Sequence, residues 1–426
     1  MNHHHKTDRD YAKRRDLLDP IRHIRDRFYI NPGIYMDGNS LGLLCKDAEA
    51  SLARIINEWK ELGINGWTRA EKPWFTFAED LAAQFAPLVG AEPAEIILHS
   101  STTVNIHALI ASFYSPQGKK RKILIEKHAF PTDRYAVSSQ LILRGLDPEK
   151  NLKEVSNPDN SFMDEGDIID AMTEDVALIL LPSVLYRSGQ LLDIERLAKA
   201  AHERDMVIGF DCSHSVGAVP HSFSDLYVDF ACWCTYKYCN SGPGGIAGLY
   251  VNKKHFHKKP ALRGWFGSDK AKQFNMPQKF EQAENAGAWQ TGTPHILSLA
   301  PLEGALKIIN ETGISAIRKK SLQLTDYLID LAEQELIPHG FSIGTPLETK
   351  RRGGHVALKH ENAIQINEAL KAKDIVADFR YPDIIRLAPV ALYNTFHDVW
   401  QVIQTIKLIT ETDDYLNYGS DRGIVA

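Results

Sequence analysis

The chain has 426 residues, of which 44% are hydrophobic and 24% are charged, ordinary values for a folded protein that exclude a disordered or collagen-like chain. Its formal charge of −5, from 49 basic and 54 acidic residues, gives no electrostatic basis for binding nucleic acid or an anionic membrane. Five scattered cysteines favour reduced thiols in the cytoplasm, and no apolar run reaches the roughly 18 residues of a membrane helix.

The first part of the chain predicts two helices separated by a turn. Residues 1–5, which contain three histidines, fit either a native start or an expression tag and are left out of the fold prediction. Charged residues with spaced apolar positions predict a surface helix over 11–27, before an extended stretch at 34–36. Two glycines and an asparagine predict a turn over 37–42. A one-sided apolar pattern then predicts a helix over 47–62.

From residue 74 to residue 250, short apolar runs alternate with helical stretches. The predicted buried strands are residues 96–98, 122–125, 177–181, 207–210 and 230–233. This alternation predicts an α/β fold with a mostly parallel central sheet covered by helices, whereas the helices and short strands after residue 296 predict a smaller α+β domain. We therefore expect a large cofactor-binding domain at 70–295 and a small domain at 296–426. The N-terminal segment 1–69 is expected to pack with the small domain.

An aspartate ends one of the predicted strands. The apolar run 207–210 leads into Asp211, and a loop with His214 follows. Parallel sheets bind ligands beyond the carboxyl ends of their strands, so Asp211 is placed to face a ligand. By itself the pattern is weak, because an aspartate at this point more often caps a helix.

A lysine follows the next predicted strand, 26 residues after Asp211. Tyr236-Lys237 is succeeded by a turn containing Gly242, Gly244 and Gly245. An isolated lysine there fits a solvated surface residue, but a lysine paired with a carboxylate fits pyridoxal 5′-phosphate. That cofactor needs an amine for its Schiff base and an acid for its pyridine nitrogen. The glycines let the backbone approach closely.

Two further segments fit a site for the cofactor phosphate and ring. Hydroxyl residues at 100–103 follow a strand and open a helix, which favours either anion binding or simple N-capping. Phe130 follows the strand at 122–125, where it fits either the core or stacking on a planar ring. Together these observations predict a cofactor site, and no metal site is predicted.

In this combination the residues resemble the fold-type-I pyridoxal-phosphate enzymes of the aminotransferase class V branch. Within that branch the chain is most similar to the kynureninase family. The segments that carry the resemblance, in order along the chain, are residues 37–42, 102–105, 130–133, 211–214, 236–245, 265–267 and 386–394.

The resemblance implies specific roles for residues of the site. Lys237 would carry the cofactor and act as general base, Asp211 would pair with the pyridine nitrogen, and Tyr236 would relay a proton. The implied cofactor contacts are Thr102, Thr103, Phe130, Pro131, Thr132, Asp133, Asp211, His214, Tyr236, Lys237, Trp265 and Thr293. The implied substrate contacts are Asn39, Ser40, Trp67 and Arg386, with Arg386 as a clamp for the α-carboxylate.

The implied reaction is hydrolytic cleavage of the Cβ–Cγ bond of L-kynurenine, an amino acid from tryptophan catabolism, to anthranilate and L-alanine. The resemblance also implies a homodimer with the active site near the subunit interface, and Thr293 supplied by the partner or a neighbouring loop. Thr293 and Trp67 stand where animal members carry asparagine and histidine. This implies the bacterial type and a preference for kynurenine over 3-hydroxykynurenine.

Other interpretations use the same residues differently. A class V aminotransferase needs the same lysine and aspartate, and a non-catalytic binding protein could keep the fold. A cysteine desulfurase needs a late nucleophilic cysteine, but no cysteine follows Cys239. The glycines at 242–248 precede a predicted strand, the wrong context for a dinucleotide-binding motif. Arg386, in an apolar run, fits either a carboxylate clamp or an internal salt bridge.

Overall fold

The computed structural model describes residues 6–156 and 162–420. The histidines at positions 3–5 lie outside the described residues. The helices are α1 (Arg9–Leu18), α2 (Lys46–Leu62), α3 (Gly66–Arg69), α4 (Phe77–Val89), α5 (Thr102–Phe113), α6 (Pro131–Ile142), α7 (Pro148–Asn151), α8 (Glu165–Asp170), α9 (Ile194–His202), α10 (Ile296–Thr312), α11 (Ile314–Glu335), α12 (Ala363–Lys371) and α13 (Phe396–Glu411). The strands are β1 (Ile34–Tyr35), β2 (Ile96–Leu98), β3 (Lys122–Glu126), β4 (Leu152–Val155), β5 (Val176–Pro182), β6 (Val207–Asp211), β7 (Phe230–Cys234), β8 (Ala247–Val251), β9 (Ser342–Ile343), β10 (Val356–Lys359), β11 (Ile375–Val376), β12 (Asp378–Arg380) and β13 (Ile384–Leu387).

A central sheet of seven strands has the order β2-β8-β7-β6-β5-β3-β4. Strands β3 to β7 run parallel to one another, and β8 is antiparallel to both β7 and β2. Strands β7 and β8 are buried along their whole length, which explains their uninterrupted apolar sequences. The predicted α/β fold with a mostly parallel sheet is confirmed, and the glycine turn at 242–245 leads into β8 as expected.

A second, antiparallel sheet has the order β12-β13-β10-β9. Helices α11, α12 and α13 pack against it around a separate apolar core. Strand β1 pairs with β11 and α1 packs on α13, whereas α2 packs on α10 and belongs to the core around the central sheet. No helix of the described residues is long and apolar enough to cross a membrane.

Two local predictions fail for identifiable reasons. The helix expected over 11–27 is wrong, because α1 ends at Leu18 and residues 22–27 form a separate 3-10 helix. Pro20 explains the break, since a proline disfavours the helical conformation of the residue before it, and Asp19 is extended. Strand β4 was not predicted because Lys153 and Glu154 interrupt its apolar pattern at the edge of the sheet.

Candidate active site

Two neighbouring parallel strands place the lysine beside a histidine. Strand β6 ends at Asp211, which pairs in register with Cys232 of β7. The chain continues from β6 into His214 and from β7 into Lys237. The Nζ atom of Lys237 lies 2.9 Å from Nε2 of His214. The structure therefore brings together three of the residues selected from the sequence.

The imidazole of His214 is neutral at physiological pH. The side chain is buried, and burial together with the charge of Lys237 lowers its pKa well below the usual value of 6.5. When Lys237 donates to Nε2, the ring proton is on Nδ1. Nδ1 is buried and has no hydrogen-bond partner among the described residues. A buried donor of this kind is costly unless a ligand accepts its hydrogen bond.

A second carboxyl group lies against Asp211. Asp133, from the first turn of α6, hydrogen-bonds to Asp211. Burial and the negative charge of Asp211 raise the pKa of Asp133 well above 3.8, because a second buried negative charge beside Asp211 is unfavourable. Asp211 also accepts a hydrogen bond of 2.8 Å from the backbone N–H of Ser213, and Oδ1 of Asp133 has no partner among the described residues.

The beginnings of two helices meet at the same edge of the sheet. Thr103 is the second residue of α5 and Thr132 is the second residue of α6, after Pro131, and their hydroxyl oxygens are 2.6 Å apart. First-turn N–H groups have no partner within the helix, and the helix dipole adds positive potential there. Thr102, the first residue of α5, lies at the same edge, where the start of a helix is suited to an anion.

Phe130 immediately precedes α6 and presents an exposed ring. The ring is 41% exposed, and Nζ of Lys237 lies 5.7 Å from its centroid. The exposed aromatic ring, beside a lysine and a neutral histidine, offers a surface on which a planar ligand can stack.

Arg386 reaches this site from β13. Its guanidinium forms a buried ion pair with Asp378, which is the internal salt bridge considered from the sequence. Nη1 also donates to the carbonyl of Tyr186 at 2.7 Å, and Nη2 lies 3.4 Å from the hydroxyl of Ser40. All three nitrogens of the guanidinium therefore have partners, and Asp378 compensates the buried charge.

The turn at 37–42 packs directly on the lysine loop. The N–H of Gly42 donates to the carbonyl of Tyr236 at 2.7 Å, and a Cβ on Gly42 would come within 2.4 Å of the carbonyl oxygen of Lys237. Asn39 is fully buried, and neither of its amide atoms has a partner among the described residues. Burial and the charge of Asp378 raise the pKa of Asp37 to about 6.

Sequence reasoning missed four residues of this region. Asp37 belongs to the selected turn but was not recognised as an ionisable group, and Asp378 gave no motif. Tyr186 makes an edge-to-face contact with Phe130 at 5.5 Å. The buried ring of His355 lies 5.8 Å from that of His214. Tyr186 follows the end of β5, which was an available signal, whereas nothing in the sequence connects His355 to the site.

Three of the selected residues lie apart from this cluster. Trp67 packs against the rings of Trp74 and Phe266, at 6.0 and 6.1 Å, and Trp265 packs against those of Phe266 and Phe274, at 5.4 and 5.6 Å. Thr293 is exposed in the loop before α10. Among the described residues, no hydrogen bond or ring contact joins these three side chains to Lys237, His214 or Asp211.

The cluster around Lys237 fits pyridoxal phosphate. The orphaned Nδ1 of buried His214 suits an acceptor oxygen, and the Asp133–Asp211 pair offers a carboxylate for a pyridinium nitrogen. Phe130 offers a stacking surface. The first turns of α5 and α6, which are linked by the hydrogen bond between Thr103 and Thr132, offer N–H groups and hydroxyls for a phosphate.

Comparison with known sequences gives full-length matches. The chain is 54% identical over 418 residues to a kynureninase of Geobacillus thermodenitrificans, covering 98% of each chain. It is 53% identical to a kynureninase of Bacillus mycoides, again over 98% of each chain. The family model described as the kynureninase C-terminal domain matches residues 317–406.

Comparison with solved structures gives the same fold at low identity. The apo cysteine desulfurase of Thermococcus onnurineus has a TM-score of 0.77 at 17% identity, with 92% of this chain and 98% of that chain covered. A C-DES variant with glycine covalently linked to the PLP cofactor has a TM-score of 0.79 at 18% identity, with 90% and 98% covered. These likenesses establish the fold.

Proposed function

The chain belongs to the kynureninase family, and from that premise we propose that it is a hydrolase that cleaves the Cβ–Cγ bond of L-kynurenine. The products are anthranilate and L-alanine, and the cofactor is pyridoxal phosphate. The observation that carries the proposal is the Lys237–His214 contact of 2.9 Å beside the Asp133–Asp211 pair, within a chain 54% identical to a named kynureninase.

The substrate is held from the small-domain side. Arg386 binds the α-carboxylate through its planar fork, and the carbonyl of Tyr186 and the carboxylate of Asp378 fix the plane of that fork. Asn39 and Ser40 line the same space, and the unpartnered amide of Asn39 is available to a polar group of the substrate. Orientation by these groups sets the Cα–H bond toward Lys237.

Proton movements are assigned to two side chains. Pyridoxal phosphate, when bound, supplies an electron-withdrawing ring that makes the substrate Cα–H acidic. Lys237 accepts the Cα proton as general base, and neutral His214 receives a hydrogen bond from its amine. Burial raises the pKa of Tyr236, so its hydroxyl is protonated at neutral pH and can donate a proton to Cβ.

Assembly and location belong to the same proposal. Trp67, Trp265 and Thr293 lie apart from Lys237 in one chain, which supports a homodimer in which the partner's copies of Trp265 and Thr293 complete the phosphate site. Five free buried cysteines support a cytoplasmic location. Mixing inactive Lys237→Ala and Thr293→Ala chains tests the shared site, because a mixed dimer regains one intact site and measurable activity. Recovery no greater than the sum of the separate variants contradicts a shared site.

The direct test follows anthranilate fluorescence after the purified protein is mixed with pyridoxal phosphate and L-kynurenine. We expect equimolar anthranilate and L-alanine in the absence of any keto acid. A parallel reaction with 3-hydroxykynurenine measures the preference expected from Trp67 and Thr293. Amino transfer that requires a keto acid, without anthranilate, would favour the aminotransferase interpretation instead. The Lys237→Ala variant is the control for non-enzymatic breakdown.

A further inference from the structure

A cavity of about 410 Å³ lies between the two sheets, beside the candidate active site. Residues of β3, the segment after β5 and strands β9, β10 and β13 line it. Its apolar walls include Met163, Leu185, Ile343 and Ile384, and its polar groups include Glu126, Arg187 and Lys359. The volume suits a small organic molecule, and the mixed walls suit one with an apolar body and charged ends.

The charged groups of the cavity are incompletely paired. Neither Arg187 nor Lys359 forms an ion pair of 4 Å or less with another described residue. Glu126 is 3% exposed and accepts a hydrogen bond of 2.7 Å from the backbone N–H of His128. Burial raises the pKa of Glu126 to about 7, although the charge of Arg187 opposes this. Asp383 adds a second acid to the lining, so neither sign of charge dominates.

We propose that this cavity binds a small aminocarboxylate, with the carboxylate on Arg187 and Lys359 and the amino group on Glu126. Two cations that form no ion pair with another described residue suit a carboxylate, and a buried carboxyl group suits an N–H donor. Met163 and Ile343 provide apolar contact for the body of the ligand.

Tyr186 connects this cavity to the candidate active site. Its ring lines the cavity and meets Phe130 edge-to-face, and its carbonyl accepts the hydrogen bond from Arg386. A ligand that displaces Tyr186 therefore changes the position of both contacts. By thermodynamic reciprocity, a substrate held by Arg386 changes the affinity of the cavity for its own ligand by the same factor.

Both products of the proposed reaction are aminocarboxylates, so the cavity is a site for product feedback. This role, unlike the binding itself, rests on the proposed function. The apolar walls favour the aromatic product over alanine. Anthranilate in the cavity would lower the apparent affinity for kynurenine without competing at Arg386.

Calorimetric titration of the holoenzyme with anthranilate tests the site. We expect the double variant Arg187→Met, Lys359→Met to bind anthranilate about tenfold or more weakly at this site. The matched control Lys119→Met, Lys319→Met removes two exposed lysines of equal charge and should bind as the parent does. Aniline, which lacks the carboxylate, should not bind. L-alanine, the aliphatic product, should bind more weakly than anthranilate, because the apolar walls favour an aromatic ligand.

A second variant tests the same cavity in case the double variant does not fold. Ile343→Trp fills the cavity without changing charge and should weaken anthranilate binding while kcat for kynurenine remains near that of the parent. Anthranilate binding equal to that of the control in both variants overturns the proposal. The titration measures binding and does not depend on turnover. If the protein fails to cleave kynurenine, the proposed reaction is refuted, and the titration still decides whether the cavity binds anthranilate.

Discussion

The two ends of strand β6 carry carboxylates in opposite environments. Asp229 lies at the amino end, where the backbone N–H of Ile208 donates to it at 2.9 Å. It also pairs with His202 at 3.0 Å, and with His255 and Lys254 at 2.7 Å each. At the carboxyl end, Asp211 faces a second acid, Asp133, across a hydrogen bond.

The pKa values of the two ends move in opposite directions. Burial alone would raise the pKa of Asp229, but hydrogen bonds from His202, His255 and Lys254 lower it far below 3.8. Burial and Asp211 raise that of Asp133. One end of the strand therefore stabilises the fold, and the other holds unsatisfied groups that a ligand can use. This contrast is tested by substitutions at the two ends, which should affect stability at Asp229 and activity at the end that carries Lys237.

Lys237→Ala should have the largest effect and should affect activity alone. We expect kcat for kynurenine to fall about 1000-fold or more, about 4 kcal/mol, because no other described side chain can replace the amine. The melting temperature should change little, since the lysine is half-buried and its hydrogen bond is to His214. Kinetics and thermal unfolding on the same sample check both. Activity above a thousandth of the parent value would mean that another lysine is the base.

Arg386→Lys should lower kcat/KM by a factor that corresponds to roughly 2–4 kcal/mol of lost transition-state stabilisation. A lysine keeps the positive charge but lacks the planar, two-pronged guanidinium group. We expect Arg386 to contribute to both stability and activity, because it is buried in an ion pair with Asp378 and also borders the site. Cofactor absorbance should be unchanged. Normal turnover would place the carboxylate clamp elsewhere, and loss of cofactor or unfolding would show that the arginine is structural.

Asp229→Asn should destabilise the fold by about 2 kcal/mol, because His202, His255 and Lys254 lose the carboxylate that they contact, and two of these partners are partly exposed. kcat should remain unchanged. The folded pKa lies below the unfolded value of about 3.9, so the stabilisation is complete above that pH and is lost as pH falls further. Urea unfolding at pH 6 and pH 3 should show the difference between parent and variant shrinking. An equal difference at both would refute the charge-based account.

Asp133→Asn should have the smallest effect, a gain in stability of about 1 kcal/mol in the cofactor-free protein. The amide can still donate to Asp211 without a second negative charge. Because the folded pKa of Asp133 is raised, the gain should vanish near pH 4 and grow as pH rises. Urea unfolding at pH 5 and pH 8 measures it, with activity expected to fall. A loss of stability at pH 8 would contradict the repulsion between the two acids.

The sequence predicts the carboxyl end of the sheet better than it predicts the rest of the site. Asp211 and Lys237 each follow an uninterrupted apolar run, so the neighbouring sequence alone predicts that both lie at the carboxyl end of a strand. Tyr186 and His355 become neighbours through packing between the sheets, where Gly353 donates to the carbonyl of Gly189 at 2.7 Å. No periodicity in either segment encodes that contact. Asp229 also gave no local signal, because its partners come from distant segments.

The pairing of the N-terminal segment with β11 has a consequence for the order of folding. Met36 donates to the carbonyl of Val376, and Ala388 donates to that of Met36, both at 2.8 Å. During synthesis the turn with Asn39 emerges first, yet its anchoring strand is among the last segments made. The central sheet can form on the ribosome before then, but its most distant contacts are slow to close. The segment that carries Lys237 is therefore made well before the residues that anchor the turn with Asn39, and we expect substrate binding to require both.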